Sequence, residues 1–423
     1  MRVSKGMLTR AALALAFCAL AGATAFAAGP AEWTQFRLND TNNVVIPGTL
    51  STSWKVVEGG PISASPTVDG TTLFLGDNRG NLIAIDVTSG HVLWKYHSRN
   101  DLMAAPLIYR GLIIVGQGDE ISHGSAPGTV YVGLGPSAIV AFDEANGAIR
   151  WRTAVAGSAM PTPAIIDGLL VDHNGAGWLT ALNPMTGAVV YAKNLHSIAS
   201  MTAATPVGGD RFVTLGVLNN AAFEIDAKNG NIIWQTPFNE IGSGLGDCPP
   251  VFDGTRIMCD YMMPKPPATY TIEGTPAILH AYAIDAKTGK VLWDVTVGTG
   301  ILPPRNEASI PLYSNGVLYL GSAISPYFHA LDAKTGRLLW KCKVHGPVKG
   351  GSVLVDGVSY FGDLRGYLWA VNAKTGAVIG DEKMPSGFNV GSPIVYGKTL
   401  IIGSRTGSIY ALPLSDIRMH HDA

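Results

Sequence analysis

One short phrase occurs seven times along the chain, and it constrains the fold more than any other feature. The phrase has two apolar residues, an Asp or Asn, three variable residues, a Gly, an apolar stretch and usually a Trp. Its turn glycines are Gly90, Gly147, Gly187, Gly230, Gly289, Gly336 and Gly376. The shortest steps between them are about 40 residues, and a repeat of roughly 40–50 residues is typical of arrays and propellers.

Each copy of the phrase predicts a β-hairpin. The Asx side chain caps the backbone of its own turn, and Gly accepts a positive φ without a steric penalty. A second turn precedes most copies, as in Asp69-Gly70 and Asp356-Gly357, and Asp-Gly between apolar runs strongly indicates a hairpin. Two hairpins make a four-stranded antiparallel sheet, which buries both faces only when neighbouring sheets stack around an axis. We therefore assign the repeated aspartates to turns: Asp86, Asp143, Asp226, Asp285 and Asp332.

The two ends of the chain together predict an eighth unit. After Gly376 one more unit begins, but it stops after Leu412 without its last strand. A strand-like segment, 50–57, precedes the first complete unit and would supply that strand, removing an open sheet edge. The predicted fold is therefore all-β: an eight-bladed β-propeller of four-stranded antiparallel blades, whose last blade is closed by the N-terminal strand. Seven blades with loose ends are the alternative.

Two of the repeats are longer than the others. The steps that end at Gly147 and Gly289 exceed the basic period, which predicts insertions near 118–138 and 262–282. Long loops in a compact repeat are often functional lids or partner surfaces. The sequence leaves the role of both insertions open.

The first 27 residues are predicted to be a secretory signal. An apolar stretch, 11–27, follows basic residues and ends in Ala25-Phe26-Ala27, which fits an A-x-A cleavage site. Phe17 stands before Cys18 where a lipoprotein needs a small residue, so we expect a periplasmic or secreted protein without an integral membrane segment after signal removal. The remaining predicted parts are an N-terminal segment (28–49), the propeller (50–415) and a mobile tail (416–423).

Composition excludes one class of partner. The formal net charge is -1 and 14% of residues are charged, against roughly 25% in an average soluble protein. Without a basic patch, nucleic-acid binding is not expected. The low charge also suits an acidic medium.

Two cysteines flank one of the predicted turns. Cys248 and Cys259 lie on either side of Asp253-Gly254. If that turn has two residues, the cysteines face each other directly, with Cβ atoms about 4.5–5.5 Å apart, near the disulfide range. Export would favour the disulfide; two buried thiols are the alternative. Cys342 is predicted to be a buried strand residue.

The repeat resembles that of a known family. The pattern Ala-x-Asp-x-x-Thr-Gly-x-x-x-Trp, at Ala283–Trp293 and Ala330–Trp340, resembles the repeat of quinoprotein-like (PQQ-like) propellers. The segment 33–37, Trp-Thr-Gln-Phe-Arg, resembles the opening segment of many such proteins. The resemblance implies the fold more strongly than the function, because the repeated residues dock blades whatever the protein does.

Three functional branches follow from the resemblance. Quinoprotein dehydrogenases bind PQQ with Ca²⁺ or a lanthanide and have an adjacent cysteine pair, which this sequence does not have. The propeller subunit of the outer-membrane barrel-assembly machine is a scaffold and normally a lipoprotein. The tetrathionate hydrolases of acidophilic sulfur oxidisers are exported and, as far as the family implies, cofactor-free. We predict an enzyme of the third kind without a cofactor; the scaffold and the PQQ- and Ca²⁺-dependent dehydrogenase stay open as alternatives.

Aligning the units locates a candidate site. A Pro recurs just before the first strand of most units, and the residues ahead of it are mostly small and neutral. The charged or strongly polar exceptions are Asp101, Asp247, Arg305, Asn306, Glu307, Lys349 and Asn389. These are predicted to form one ring at the mouth of the central channel, concentrated in units five to eight.

The residue types in this ring fit a small anionic substrate. Asp247 and Glu307 would supply acid or base chemistry, with pKa values moved by burial. The predicted substrate-binding residues are Arg305, Lys349, Asn306, Asn389 and Asp101, because a dianion needs cations and donors in place of its water. Ion pairs that merely close the channel mouth are the alternative. No metal site is predicted, since the Asp119, Glu120 and His123 cluster lacks a recognisable ligand spacing; a homodimer is compatible with the sequence.

Overall fold

The computed structural model describes residues 32–119, 122–123, 130–131, 135–217, 220–238, 244–245, 247–268, 273–303 and 308–418. The described residues form eight blades of four antiparallel strands, and in blades 1 to 7 the strands follow chain order from the axis outward. The predicted eight-bladed all-β propeller is confirmed. The predicted signal, 1–27, lies outside the described residues.

The first four blades are complete repeats. Their strands are β3 (Thr67–Asp69), β4 (Thr72–Gly76), β5 (Asn81–Asp86) and β6 (Val92–His97) in blade 1; β7 (Leu107–Tyr109), β8 (Leu112–Gln117), β11 (Ala138–Asp143) and β12 (Ile149–Ala154) in blade 2; β13 (Ala164–Ile166), β14 (Leu169–His173), β15 (Trp178–Leu182) and β16 (Val189–Asn194) in blade 3; and β17 (Thr205–Gly208), β18 (Arg211–Gly216), β19 (Ala221–Asp226) and β20 (Asn231–Pro237) in blade 4.

The other four blades follow the same plan, except that the last one combines strands from both ends of the chain. The strands are β21 (Val251–Phe252), β22 (Arg256–Pro264), β23 (Pro276–Asp285) and β24 (Val291–Ile301) in blade 5; β25 (Leu312–Ser314), β26 (Val317–Gly321), β27 (Tyr327–Asp332) and β28 (Leu338–Lys343) in blade 6; β29 (Val353–Val355), β30 (Val358–Gly362), β31 (Tyr367–Asn372) and β32 (Val378–Lys383) in blade 7; and β33 (Ile394–Tyr396), β34 (Thr399–Gly403), β35 (Ser408–Pro413) and the N-terminal β2 (Trp54–Val57) in blade 8.

Blade 8 is closed in the predicted way. Strand β2 pairs antiparallel with β35, with Trp54 opposite Ala411. A further short strand, β1 (Val45–Ile46), runs parallel to β33 on the axial side of the same sheet. First strands of successive blades contact one another, as β13 does with β17 and β17 with β21, so the first strands line the axis.

The repeated Gly and Trp dock each blade on the next. The indole of Trp94 in blade 1 lies against Gly147 in blade 2, where an added Cβ would come within 2.6 Å of the ring. The Trp94 Nε1 donates a hydrogen bond to the Glu144 carbonyl oxygen at 2.9 Å. The contact recurs in other blades, for example between Trp293 and Gly336. The phrase repeats because only glycine leaves room for the neighbouring indole.

The two predicted insertions differ in structure. In blade 5, β22, β23 and β24 have 9, 10 and 11 residues, so much of 262–282 extends the blade's own strands and is not a loop. In blade 2 the described part of the insertion includes two short strands, β9 (Ser122–His123) and β10 (Val130–Tyr131), which pair antiparallel. Glu120 lies outside the described residues, so the acidic cluster near His123 is not described as a whole.

The N-terminal segment, 33–46, closes one end of the axis. Its backbone bonds successive first strands: Trp33 to Ile108, Thr34 to Ile165, Asp40 to Phe252, Thr41 to Tyr313 and Val44 to Val395. Arg37 is fully buried within this segment and donates to the carbonyl oxygens of Asn42, Pro393 and Ser352 at 2.7, 2.9 and 2.8 Å. These contacts reach blades 2, 3, 5, 6, 7 and 8, so the segment forms the floor of the channel.

A short helix, α1 (Leu414–Ile417), ends the described chain. Ile417 is buried and the Arg418 guanidinium hydrogen-bonds the Tyr360 hydroxyl. Residues 416–418 of the predicted tail are thus packed against the propeller, residues 419–423 lie outside the described residues, and the mobility of the tail stays a prediction. Within the described ranges, no helix has both the length and the hydropathy to cross a bilayer.

Candidate functional site

A small cavity lies on the axis above the channel floor. Its volume is about 10 Å³, roughly the space that one water molecule needs. Segments that lead into the first strands of blades 1 to 6 and 8 line it, and Phe36 of the N-terminal segment closes it from below. The polar lining consists of Ser63, Ser65, Thr162 and Asp247.

The hydroxyls of this lining are held in place by backbone amides. Thr162 Oγ1 accepts the N–H of Ala105 at 3.0 Å, and Ser65 Oγ accepts the N–H of Ser392 at 3.0 Å. Each of these hydroxyls therefore keeps its own O–H to donate. The cavity thus combines two anchored hydroxyls with an acidic residue, Asp247, in its lining, and polar groups of this kind can hold a water molecule.

Two more predicted residues lie beside the cavity. Asn389 is buried and its Nδ2 donates to Ser63 Oγ at 3.4 Å. Lys349 is 2% exposed, and its carbonyl oxygen accepts the N–H of Ile310, a lining residue, at 3.2 Å. The structure therefore brings Asp247, Lys349 and Asn389 together around the axis. Arg305, Asn306 and Glu307 lie outside the described residues, and their predicted roles are not examined by the structure.

Asp101 does not belong to this group. It lines a separate groove between blades 1 and 2, which shares no lining residue with the axial cavity. The structure places Asp101 outside the lining of the axial cavity, and its predicted role in substrate binding stays a prediction. Five positions before Pro106 the chain is still leaving the outer strand β6, whereas Met103 and Ala105 are the residues that reach the axis.

A second carboxylate, Asp260, was missed by the sequence reasoning. It is 0% exposed on β22, and its Oδ2 accepts the N–H and the hydroxyl of Ser309 at 3.2 and 3.1 Å. Desolvation raises the pKa of Asp260 to about 7, although these hydrogen bonds oppose the shift. The available signal was a charged residue amid the buried apolar run of β22. Because Ser309 precedes Ile310, Asp260 lies directly behind the cavity wall.

The predicted cross-strand register of the cysteines is wrong, although the cysteines do meet. Phe252 pairs with Ile257, because the Asp253 carboxylate accepts the N–H groups of Thr255 and Arg256 and widens the turn. The Cys248 and Cys259 sulfur atoms nevertheless lie 2.7 Å apart as buried thiols. They approach because Cys248 precedes β21, outside the strand register. The disulfide itself stays a prediction.

These cysteines and Asp260 form a candidate metal-ligand cluster. Their ligand atoms all lie within 4.8 Å of one another, and among the residues described no other such group of three occurs. The Cys248 sulfur is 3.4 Å from Asp260 Oδ1. Desolvation raises the pKa of both thiols, so without a bound cation they stay protonated and poorly nucleophilic. Thiolates with a carboxylate suit Zn²⁺; the expectation of no metal remains untested.

A family model decides the evolutionary relationship. The model described as outer membrane protein assembly factor BamB matches residues 45–126, 117–247 and 280–416. The chain belongs to this PQQ-like repeat family. The matched ranges include Asp247, Lys349 and Asn389, so these residues of the PQQ-like propeller lie in the part shared with the family.

Relatives of two different functions are about equally similar to this PQQ-like propeller. A tetrathionate hydrolase from Acidithiobacillus ferrooxidans is 25% identical over 92% of this chain and 87% of its own. The outer membrane protein assembly factor BamB from Yersinia pestis is 24% identical over 82% and 83%. The crystal structure of BamB from Moraxella catarrhalis superposes with a TM-score of 0.62 at 15% identity, covering 88% of this chain and 99% of that one, which shows the fold alone.

The mouth of the PQQ-like propeller carries exposed guanidinium groups. Arg79, Arg365 and Arg405 occupy turns between the second and third strands of blades 1, 7 and 8, at the same end as Asp247. Among the described residues, none of these three forms an ion pair. The opposite end carries the repeated turn aspartates, such as Asp86. Both ends are mixed in charge, since Asp77 and Asp363 share the turns of Arg79 and Arg365.

Proposed function

We propose that this PQQ-like propeller is an exported hydrolase of a linear sulfur oxyanion, similar to tetrathionate hydrolase, and that it works at the mouth of the axial channel. The observation that carries the proposal is the water-sized cavity whose lining includes Asp247. Hydrolysis needs a water molecule beside a group that can take its proton, and the cavity supplies room for the first and Asp247 the second.

The proposed step is a displacement at sulfur. The water oxygen forms a bond to one central sulfur of tetrathionate as the central sulfur–sulfur bond breaks. Thiosulfate leaves with the electron pair of that bond, and the water proton passes to the Asp247 carboxylate. The other half of the substrate leaves with the new hydroxyl group. No electrons are exchanged with a second reactant, so the proposal includes neither PQQ nor Ca²⁺.

The anionic groups of the substrate are proposed to bind above the cavity. Lys349 and Asn389, beside the axis, are the described residues that would replace part of the water around a sulfonate group. Arg305, Asn306 and Glu307 keep their predicted roles, the first two in binding and the third as a further acid or base. The exposed guanidiniums of the mouth would raise the local concentration of a dianion and the rate of its arrival.

Thiosulfate release from tetrathionate tests the proposal. Purified protein is assayed over about pH 2–7, where the protonation of carboxylates changes. We expect turnover by the wild type and at least about a hundredfold loss in Asp247→Asn, the effect of removing a proton acceptor. The matched control is Asp167→Asn in an Asp-Gly turn at the opposite end, where φ is +50 and Asn is tolerated. No turnover at any pH, or equal turnover in both variants, would refute the proposal.

A scaffold like BamB is the second candidate. The family description and the Yersinia pestis relative favour it. The outer strands also expose apolar residues in consecutive blades, which suits a partner surface: Val189, Val190, Ile232, Ile233, Leu292 and Leu338. A scaffold should co-purify with an outer-membrane assembly protein, and Ile232→Lys with Ile233→Lys should abolish this while Asp247→Asn leaves it intact. Failure of the pair to change co-purification would count against a scaffold role for these strands.

A further inference from the structure

We propose that the groove between blades 1 and 2 is a second binding site, which takes a small tetrahedral oxyanion such as sulfate, thiosulfate or phosphate. The groove has a volume of about 390 Å³, within the usual range for small-molecule sites. Its lining includes Arg79, His97, Arg99 and Asn100. It shares no residue with the axial cavity, so this inference does not depend on the proposed hydrolysis.

Two unpaired guanidiniums supply the attraction. Arg79 lies in the turn between β4 and β5, and Arg99 follows the outer strand β6, so two separate segments bring positive charge to one groove. Within the part of the chain that the structure describes, neither guanidinium has an ion pair or a hydrogen bond. Guanidinium forks bind oxyanions through paired N–H donors, which is the chemistry that these two side chains leave unused.

A buried polar chain holds His97 in a defined orientation. The buried Asp77 carboxylate accepts the Asn81 Nδ2 at 2.7 Å, which directs Asn81 Oδ1 toward His97 Nδ1 at 3.1 Å. An amide oxygen only accepts, so the His97 Nδ1 carries a hydrogen and Nε2 is the free ring nitrogen. The same Asp77 accepts the backbone N–H of Arg79 at 2.9 Å. Asp77 is therefore a positioning residue for both sides of the groove.

One buried donor has no partner. Asn100 is 9% exposed, and its Nδ2 makes no hydrogen bond with any described residue. Its amide orientation is set because Oδ1 accepts the N–H of Asp101 at 2.8 Å. A buried amide N–H without an acceptor is costly, typically about 1–3 kcal/mol. The Oδ1 contact orders the loop that carries Arg99, and the two guanidiniums are the groups that would contact the anion.

Two carboxylates in the wall limit what the groove can take. Asp119 is buried, and its Oδ2 accepts the N–H of Gly135 at 3.4 Å; Asp101 also lines the groove. Both carboxylates have further interactions of their own. Their negative charge disfavours a large polyanion, so one small oxyanion between Arg79 and Arg99 is the ligand that fits.

Calorimetric titration tests the site. Sulfate, thiosulfate and phosphate are each titrated into the full protein at constant ionic strength, with acetate as the comparison anion. We expect saturable one-site binding of at least one tetrahedral anion, stronger than that of acetate. Arg79→Gln with Arg99→Gln should weaken it at least tenfold, and Asp101→Asn should strengthen it because repulsion is removed. Arg110→Gln, an exposed arginine of blade 2 outside the groove, is the matched control and should bind like the wild type.

The outcomes separate this site from the hydrolase. Absence of saturable binding for all three anions, or equal binding by the double variant and the control, would overturn the proposal. Because the readout is binding, an inactive wild type leaves the test intact. Nuclear magnetic resonance shifts of the His97 ring on sulfate addition provide a second measurement, and they should vanish in the folded double variant.

Discussion

The indole of Trp54, in the N-terminal strand of blade 8, lies against Gly90 in blade 1, and its Nε1 donates to the Val87 carbonyl oxygen at 2.9 Å. This contact closes the ring of blades. A Cβ on Gly90 would lie 2.8 Å from the Trp54 ring, and Gly90 has a φ of +74. Gly90→Ala should therefore lower the free energy of unfolding by about 2–4 kcal/mol, from backbone strain and the displaced indole together. Urea denaturation followed by tryptophan fluorescence measures this loss.

The control for the closure is Gly70→Ala. Gly70 also has a positive φ, +53, but nothing lies within 4 Å of an added Cβ. Its substitution should show the backbone effect alone, about 1 kcal/mol. Equal losses for Gly70→Ala and Gly90→Ala would mean that the Trp54 contact does not stabilise the closed ring.

Arg37→Met tests the channel floor. The guanidinium is buried and supplies donors to three carbonyl oxygens, and desolvation lowers the pKa of Arg37 to about 9, so it stays charged at neutral pH. Met fills similar space without donors, and we expect a loss of about 3–5 kcal/mol in thermal or urea unfolding. Arg150→Met is the control because that side chain is 57% exposed in a surface ion pair, worth about 0–1 kcal/mol. If Arg37→Met left the free energy of unfolding unchanged, the hydrogen bonds of Arg37 to the carbonyl oxygens would not be needed for stability.

The contribution of Asp172 to the free energy of unfolding should be larger in acid than at neutral pH. This carboxyl is fully buried on β14, its oxygens have no hydrogen bond with described residues, and desolvation raises its pKa to about 7. The folded state binds this proton more tightly than the unfolded state, whose pKa is about 3.9. Its contribution is therefore full below about pH 4 and is lost as the pH rises to 7, on the order of 4 kcal/mol. Asp260, with a pKa raised to about 7, acts in the same direction.

The turn carboxylates have the opposite effect on the pH dependence of stability. The effect of Asp172 must therefore be isolated by comparing the wild type with a variant. Hydrogen bonds to Thr88 and Ser89 lower the pKa of Asp86, so its contribution is present at neutral pH and lost in strong acid. Unfolding of the wild type and of Asp172→Asn should therefore be compared at pH 4 and at pH 7. The difference between the two proteins should favour the wild type at pH 4 and shrink or reverse at pH 7; a constant difference would contradict the assigned pKa.

Cys248 and Cys259 should be found linked when the protein is isolated under oxidising conditions. Mass spectrometry of a non-reducing digest would show the joined peptides. Cys259→Ser should then lower the free energy of unfolding by about 3 kcal/mol, the value expected for a closed loop of about 12 residues. Cys342→Ser, at another buried thiol, should change much less, and a reductant should remove most of the difference. Separate peptides with a bound metal ion at one per chain would instead assign the pair to the cluster with Asp260.

The repeats made most of the fold predictable from the sequence. Turn residues such as Asp86 and Gly90 specify hairpins locally, and their spacing counts the blades without any knowledge of long-range contacts. Details of strand register that depend on a single side chain could not be predicted from the sequence in this way. The turn at Asp253 has the Asp-Gly signature of a two-residue loop, yet its carboxylate binds the backbone of Arg256 and shifts the register by two residues.

The candidate site was only partly predictable for a similar reason. Alignment on the recurring Pro selected Asp247 and Asn389, which lie at or beside the axial cavity because the first strands all approach the axis in the same way. It also selected Asp101, which lines a different groove, since distance from the axis changes within a few residues of the loop. Asp260 was hidden because a buried carboxylate on a central strand depends on Ser309 of the next blade, a partner 49 positions away.

The channel floor also has a consequence for the order of folding. Asn43 exchanges two hydrogen bonds with Leu354 across 311 positions of sequence, and Val44 reaches Val395. Contacts between residues so far apart in sequence form late, because the entropy cost of closing a long loop comes before the stabilisation that the contacts provide. The N-terminal segment can therefore complete its contacts only after blades 7 and 8 have formed, and a chain truncated before blade 8 should lose the contacts of Val44 with Val395 and of Arg37 with Pro393.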